Sequence, residues 1–129
     1  MLSRRSEPKS PTTAWAPITR AGGVPEVSAA WTRAHASEVV ILDVRERAEL
    51  LGELGAIDGV VHLPLGRLAE ARARFTPETP IVVVCRSGAR SGAAAVALER
   101  AGYARVASMA GGMLAWRADE ADARRATRG

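Results

Sequence analysis

Two continuous apolar runs, Val39-Val40-Ile41-Leu42 and Ile81-Val82-Val83-Val84, interrupt a chain whose other hydrophobic positions mostly recur at helical spacing. Unbroken β-branched runs of this kind mark strands covered on both faces. Trp15 and Ile18 begin a first edge strand. Pro25 sits where a helix opens, and Val27, Ala30, Trp31 and Ala34 repeat every three or four residues, which predicts a helix of about three turns before Ser37. After the first run, closed by Asp43-Val44-Arg45, residues 47–54 read as a short helix with Gly55 at its end. Val60, Val61 and Leu63 form a strand stopped by Pro64. Residues 65–75 form a helix with Leu65, Leu68 and Ala69 inward and Arg67, Arg72 and Arg74 outward. Residues 76–80 turn into the second run, the central strand. A helix over 91–101 follows, its Ala93, Ala94 and Ala97 allowing close approach to the sheet, and Gly102 ends it. The last strand is 105–108, the turn after it Gly111-Gly112, and the final helix 113–126.

Strands alternating with helices at this spacing predict an α/β fold: three layers, α/β/α, around a central, mainly parallel sheet of about five strands. Ligands in such sheets bind beyond the carboxyl ends of the strands. At 129 residues the chain reads as one domain, without internal repeats. A domain near this size hides roughly two-thirds of its unfolded surface, enough for a core without disulfides or metals.

Composition narrows the function classes. The single cysteine, Cys85, excludes an intrachain disulfide and any multi-cysteine metal site. Neither a metal nor a cofactor is expected. No apolar run approaches the ~20 residues that span a bilayer. Residues 1–17 hold no apolar stretch of the secretory kind, and the expected location is the cytoplasm. The net charge is +4, and residues 1–20 carry four cations against one acid while residues 21–116 balance ten against ten. The basic excess therefore lies in the ends, as solvated tails rather than a nucleic-acid face, and few aromatics are available for base stacking. Neither nucleic acid nor membrane is an expected partner. Residues 1–17, rich in Ser, Pro, Thr and charge, are expected to be mobile.

The chemistry concentrates where the second apolar run ends: Cys85-Arg86-Ser87-Gly88-Ala89-Arg90-Ser91. This layout puts a thiol at the carboxyl end of a strand and the amino end of a helix. A free thiol near pKa ~8.5 is mostly protonated at neutral pH, and only the thiolate attacks. Loop amides from Arg86 to Arg90 curling around the sulfur, the positive end of a helix starting near Ser91, and the charges of Arg86 and Arg90 all favour the anion. Gly88 relieves the backbone where the curl needs unusual dihedrals. The alternative, an inert core cysteine, fits such a loop poorly.

Four segments, in order, resemble the rhodanese-like sulfurtransferases: Leu42-Asp43-Val44-Arg45-Glu46, Ile57-Asp58-Gly59-Val60-Val61-His62-Leu63-Pro64-Leu65, the loop Cys85 to Ser91, and Gly111-Gly112-Met113-Leu114-Ala115-Trp116. The likeness runs over about residues 18–118, leaving 1–17 as an N-terminal segment and 119–129 as a charged helix end and tail. One departure is Ala56, where the family commonly carries a histidine. The resemblance implies a thiosulfate:cyanide type of activity. Cys85 takes sulfane sulfur from a small anionic donor as a persulfide, then passes it to a thiol or cyanide, with a sulfur-carrier protein among the candidate acceptors.

Arg86 follows the nucleophile and is expected to meet the anionic donor, with Ser87, Gly88, Ala89 and Arg90 completing the substrate loop. Two roles stand open for Arg90: substrate contact, or holding the curl through an ion pair with Asp43. Asp43, Arg45 and Ser91 are read as support, and Trp116 as core. His35 and His62 are distant from Cys85 in sequence, and a low-pKa sulfur needs no general base. Two other functions compete. Phosphatases or arsenate reductases on the same scaffold use a loop one residue longer, sized for a tetrahedral oxyanion. Non-catalytic relatives act as binding modules, but usually lack the cysteine that this chain keeps.

Overall fold

The computed structural model describes Trp15 and residues 18–128. The mobile segment expected over 1–17 falls, Trp15 apart, outside the described residues. In chain order the elements are β1 (Thr19–Ala21), β2 (Val24–Val27), α1 (Ala29–Ala34), a 3-10 turn (Ala36–Glu38), β3 (Val40–Asp43), α2 (Arg47–Leu50), β4 (Val61–His62), a second 3-10 stretch (Leu65–Glu70), α3 (Ala71–Arg74), β5 (Ile81–Val84), α4 (Ala89–Arg100), β6 (Val106–Met109) and α5 (Gly112–Arg128). The charged 119–129 stretch thus belongs to α5 as far as Arg128.

The sheet has six strands in the order β1-β2-β6-β5-β3-β4, all parallel except the β1–β2 pair. That is one strand more than the sequence predicts. The extra strand, β2, lies where Pro25 reads as a helix start. Pro25 faces Arg20 across the antiparallel pair, while the parallel pairing to β6 begins only at Glu26, so the missing N–H costs the sheet nothing there. The helix waits for Ser28, whose hydroxyl accepts from the Trp31 amide at 2.9 Å. The helix expected over 65–75 is broken in the same way. Leu65 still donates to the Val44 carbonyl (2.9 Å), Arg67 is non-helical, and α-geometry starts only at Ala71.

Every residue of β5 and β6 is buried, as strands covered on both faces require. Side-chain alternation then sorts the core. Val82, Val84, Ala107 and Met109 join Trp31, Met113 and Trp116 on the side of α1 and α5. Ile81, Val83, Cys85 and Val106 join Ala94, Ala95 and Leu98 of α4 on the other. From β3 the chain first runs outward to β4, then returns past β3 to β5. The carboxyl ends of β3 and β5 are therefore the switch point of the sheet, where an α/β fold opens its crevice.

Candidate active site

Cys85 is the residue after β5, and strand parity turns it toward α4. It is 1% exposed. Its sulfur accepts from the Gly88 amide at 3.1 Å and the Ser91 amide at 3.3 Å, and the thiol lies 3.4 Å from the Ser91 hydroxyl. Gly88, at φ 112°, makes the turn that brings these amides back over the strand end. Helix α4 starts at Ala89, earlier than the sequence predicts, so the Ser91 amide is one of the unbonded donors at its positive end. Burial is the largest single influence on the thiol and opposes ionisation. The Ser91 hydroxyl and the Ser91, Gly88 and Ser87 amides together outweigh it and bring the thiol below its ordinary pKa. The amides bonded to the sulfur are thus those of Gly88 and Ser91, with the Ser87 amide adding a smaller influence, rather than the whole 86–90 run.

The carbonyl side of this loop is held from outside. Met113 donates to the Cys85 carbonyl (2.9 Å) and Leu114 to the Arg86 carbonyl (3.2 Å). These are free amides at the start of α5, so one contact caps a helix and fixes the loop. A trans peptide whose carbonyl is drawn outward turns its N–H inward. The Arg86 carbonyl therefore aims the Ser87 amide at the sulfur.

The loop's exposed side chains are Arg86, Ser87 and Ala89. Arg86 makes no side-chain hydrogen bond or ion pair among the described residues and is a free cation at the rim. Arg90 is engaged otherwise than by Asp43. Both its terminal nitrogens bind Glu49 of α2, each at 2.7 Å. Asp43 belongs to Arg45: the guanidinium binds the carboxylate at 2.8, 3.0 and 3.2 Å, and the Arg45 amide adds a bond of 3.0 Å. The reason is local. Residues two apart at the end of an extended strand point to the same side, so Arg45 reaches Asp43 first and Arg90, on a separate helix, takes the next carboxylate. Arg45 also donates to the Glu49 and Gly55 carbonyls (3.3 and 2.7 Å), tying the end of β3 to α2 and the segment beyond.

Glu49 was not among the residues singled out by sequence. Its signal was the Glu46-x-x-Glu49 capping box, which anchors it: the carboxylate accepts from the Glu46 amide at 2.9 Å. Chiefly through the Arg90 hydrogen bonds, against the opposing effect of burial, the carboxyl falls to about 2 from the ordinary 4.5. A lowered carboxyl pKa stabilises the fold fully above pH 4.5, and that contribution is lost as pH falls through about 2. Both side chains are about one-third exposed, so solvent holds the pair to about 1 kcal/mol. Urea unfolding of Glu49→Gln is expected to trail the parent by that amount at neutral pH. The gap closes between pH 4.5 and 2, and a gap unchanged across that range would show that the pair contributes nothing.

Both histidines are committed elsewhere: His62 Nε2 to the Arg45 carbonyl (2.7 Å), and His35 Nδ1 to the Trp31 carbonyl (2.8 Å) while it stacks on the Trp31 ring. Trp116 lies in the core under the Arg33 guanidinium. Among the described residues no group of three or more His, Cys, Asp or Glu is placed to hold a metal, and no helix is long and apolar enough to cross a membrane.

Comparison with known proteins bears on the same segment. The family model described as the rhodanese-like domain matches residues 26–119. A sulfurtransferase of Allochromatium vinosum is 34% identical over 83 residues, covering 64% of this chain and 76% of that protein. The thiosulfate sulfurtransferase GlpE of Coxiella burnetii is 32% identical over 89 residues, 69% of this chain and 81% of its own length. Other relatives are longer: of a Bacillus subtilis and a Synechocystis protein, 38% and 37% identical, the match takes in 40% and 43%. Among solved structures, a rhodanese-related protein of Thermoplasma volcanium superposes with a TM-score of 0.66 at 28% identity, covering 73% of this chain and 91% of that one.

Proposed function

Because the chain belongs to the rhodanese-like domain family, we propose that it is a sulfurtransferase with Cys85 as its nucleophile. The supporting observation is the sulfur held by the Gly88 and Ser91 amides at the foot of α4, with the thiol pKa lowered. The Cys85 thiolate attacks the outer sulfur of thiosulfate. The sulfur–sulfur bond breaks, and its electron pair leaves with sulfite. The persulfide Cys85–S–S⁻ carries its charge one atom further out, and Arg86, exposed and without a side-chain partner among the described residues, is the loop's cation left to meet it. Cyanide or a thiol, the latter supplied by a small molecule or a sulfur-carrier protein, attacks that outer sulfur. Cys85 leaves as the thiolate, and a ping-pong course follows. Because Cys85 is almost fully buried, a slim donor with a projecting terminal sulfur suits the site. Two amides closing directly on one sulfur atom favour this reading over a phosphatase, whose loop must surround four oxygens.

Incubation with thiosulfate is expected to raise the intact mass by about 32 Da, one sulfur atom. Cyanide should remove it as thiocyanate. With one cysteine in the chain, a cyanide-labile sulfur can reside only on Cys85. A mass unchanged by thiosulfate and by glutathione persulfide overturns the proposal. Hydrolysis of an aryl phosphate would replace it with the phosphatase reading.

A further inference from the structure

We propose that Ser108 is a positioning residue for Cys85: its buried hydroxyl donates to Ser91 Oγ and leaves the Ser91 proton available to the sulfur. The proposal rests on Cys85 as the nucleophile, but its test reads ionisation rather than sulfur transfer.

Ser108 is a hydroxyl in an otherwise apolar strand. Ala107 and Met109 face the α5 side, so parity places Ser108 with Val106 on the Cys85 side. Its register partner on β5 is Val83, two residues before Cys85 and on the same face. The residue is fully buried. Among the described residues, its hydroxyl has one partner, Ser91 Oγ, at 2.7 Å. Ser91 Oγ also lies 3.2 Å from the Gly88 carbonyl and 3.4 Å from Cys85 Sγ.

A hydroxyl has one proton to give. If Ser91 gave its proton to Ser108, the Ser108 proton would be sealed in the core without an acceptor, and orphaned buried donors are costly. With Ser108 donating, every proton is placed. Ser108 gives to Ser91. Ser91 gives to the Gly88 carbonyl while Cys85 is a thiol, and can turn to the sulfur once it is ionised. Donors in series polarise one another, so the second hydroxyl strengthens the first. A thiolate stabilised this way is more abundant at neutral pH and a better leaving group when the persulfide is discharged.

The charged groups around this end of the sheet include Glu26 of β2, which is in register with Ser108 and by parity on the same face. Arg90 interacts electrostatically with Cys85 and is held by Glu49. Arg86 is at the loop's rim, and the buried Asp43–Arg45 pair closes the neighbouring strand. The first turn of α5 carries no acid. None of them bonds the Ser108 hydroxyl, so replacing it leaves the charges in place.

Iodoacetamide alkylation of this single-cysteine chain, followed against pH, gives the ionisation midpoint of Cys85 directly. Ser108→Ala removes one atom and no backbone bond. Its midpoint is expected to rise by roughly half a pH unit to one unit. Ser91→Ala raises it as well, and Ser91→Ala/Ser108→Ala raises it no further than Ser91→Ala, because Ser108 acts through Ser91. A midpoint unmoved in Ser108→Ala, even with a lowered melting temperature, means that the side chain only fills space and overturns the proposal. So does an undiminished second rise on the Ser91→Ala background.

Discussion

Gly112→Ala is expected to lower stability by roughly 2–5 kcal/mol, a fall in Tm on the order of 10 °C, and to raise the alkylation midpoint of Cys85. A Cβ at Gly112 would stand 2.5 Å from the Arg86 carbonyl carbon and oxygen and 2.5 Å from the Cys85 carbonyl oxygen. These are backbone atoms, so no side chain can rotate away. The residue also has φ 57°, which disfavours any side chain. Two costs therefore add, overpacking and backbone conformation. The clash falls on the two carbonyls that α5 holds through Met113 and Leu114. Pushing them back rotates the peptide that aims the Ser87 amide at the sulfur, so stability and thiol acidity should decline together. Thermal unfolding and pH-dependent alkylation of one variant test both. A Tm within 2 °C of the parent would mean the loop yields freely. A lowered Tm with an unmoved midpoint would detach α5 from the chemistry.

The parts of the fold legible in the sequence are those where one physical effect dominates. Two continuous β-branched runs became β3 and β5, and the switch from runs to helical spacing placed the parallel sheet. Less legible were segments where local preference met a tertiary demand. Pro25 is a good helix opener, yet the chain needs an extended segment beside β6, and antiparallel pairing with β1 accommodates the missing N–H. At Leu65 a periodic apolar face suggested a helix, but the backbone is still bonded to Val44 and the turn follows later. Neither bond can be read from periodicity.

The site divides along the same line. Cys85, its glycine turn and the helix behind it are consecutive residues, and their geometry follows from strand, turn and cap. The partners of Arg90 and Ser91 come from other elements. The competition of Asp43 between Arg45 and Arg90 is settled by strand parity, which sequence can supply. That Glu49 then receives Arg90 depends on how α2 packs. Ser108 left only one trace, a serine where a buried strand should be apolar. An unexplained polar residue inside a core strand is a signal to ask what it bonds.

Replacing Arg45 should be the most costly change near the site that leaves the donor untouched. Arg45 and Asp43 are 1% and 0% exposed and are bonded to each other, so the pair is taken up by the fold. Arg45→Met strands the Asp43 carboxylate in the core with the residue-45 amide as its remaining donor among the described residues, and takes one donor from the Gly55 carbonyl and one from the Glu49 carbonyl, which keeps the Gly52 amide. Breaking a buried pair from one side costs roughly 3–5 kcal/mol, because the other charge stays uncompensated. Removing both leaves no charge stranded, so Asp43→Val/Arg45→Met should be less destabilised than Arg45→Met alone, although the residue-45 amide then loses its acceptor and the Glu49 and Gly55 carbonyls each lose one donor. That order, with the double substitution milder than the single, distinguishes a buried pair from two independent contributions and can be read from urea unfolding. Kinetics supply the second half of the test. At a temperature where the single variant is still folded, KM for thiosulfate should stay within about threefold of the parent, since uniform binding lies elsewhere. A KM raised tenfold at unchanged stability would place Arg45 on the donor and leave Asp43 as its orienter.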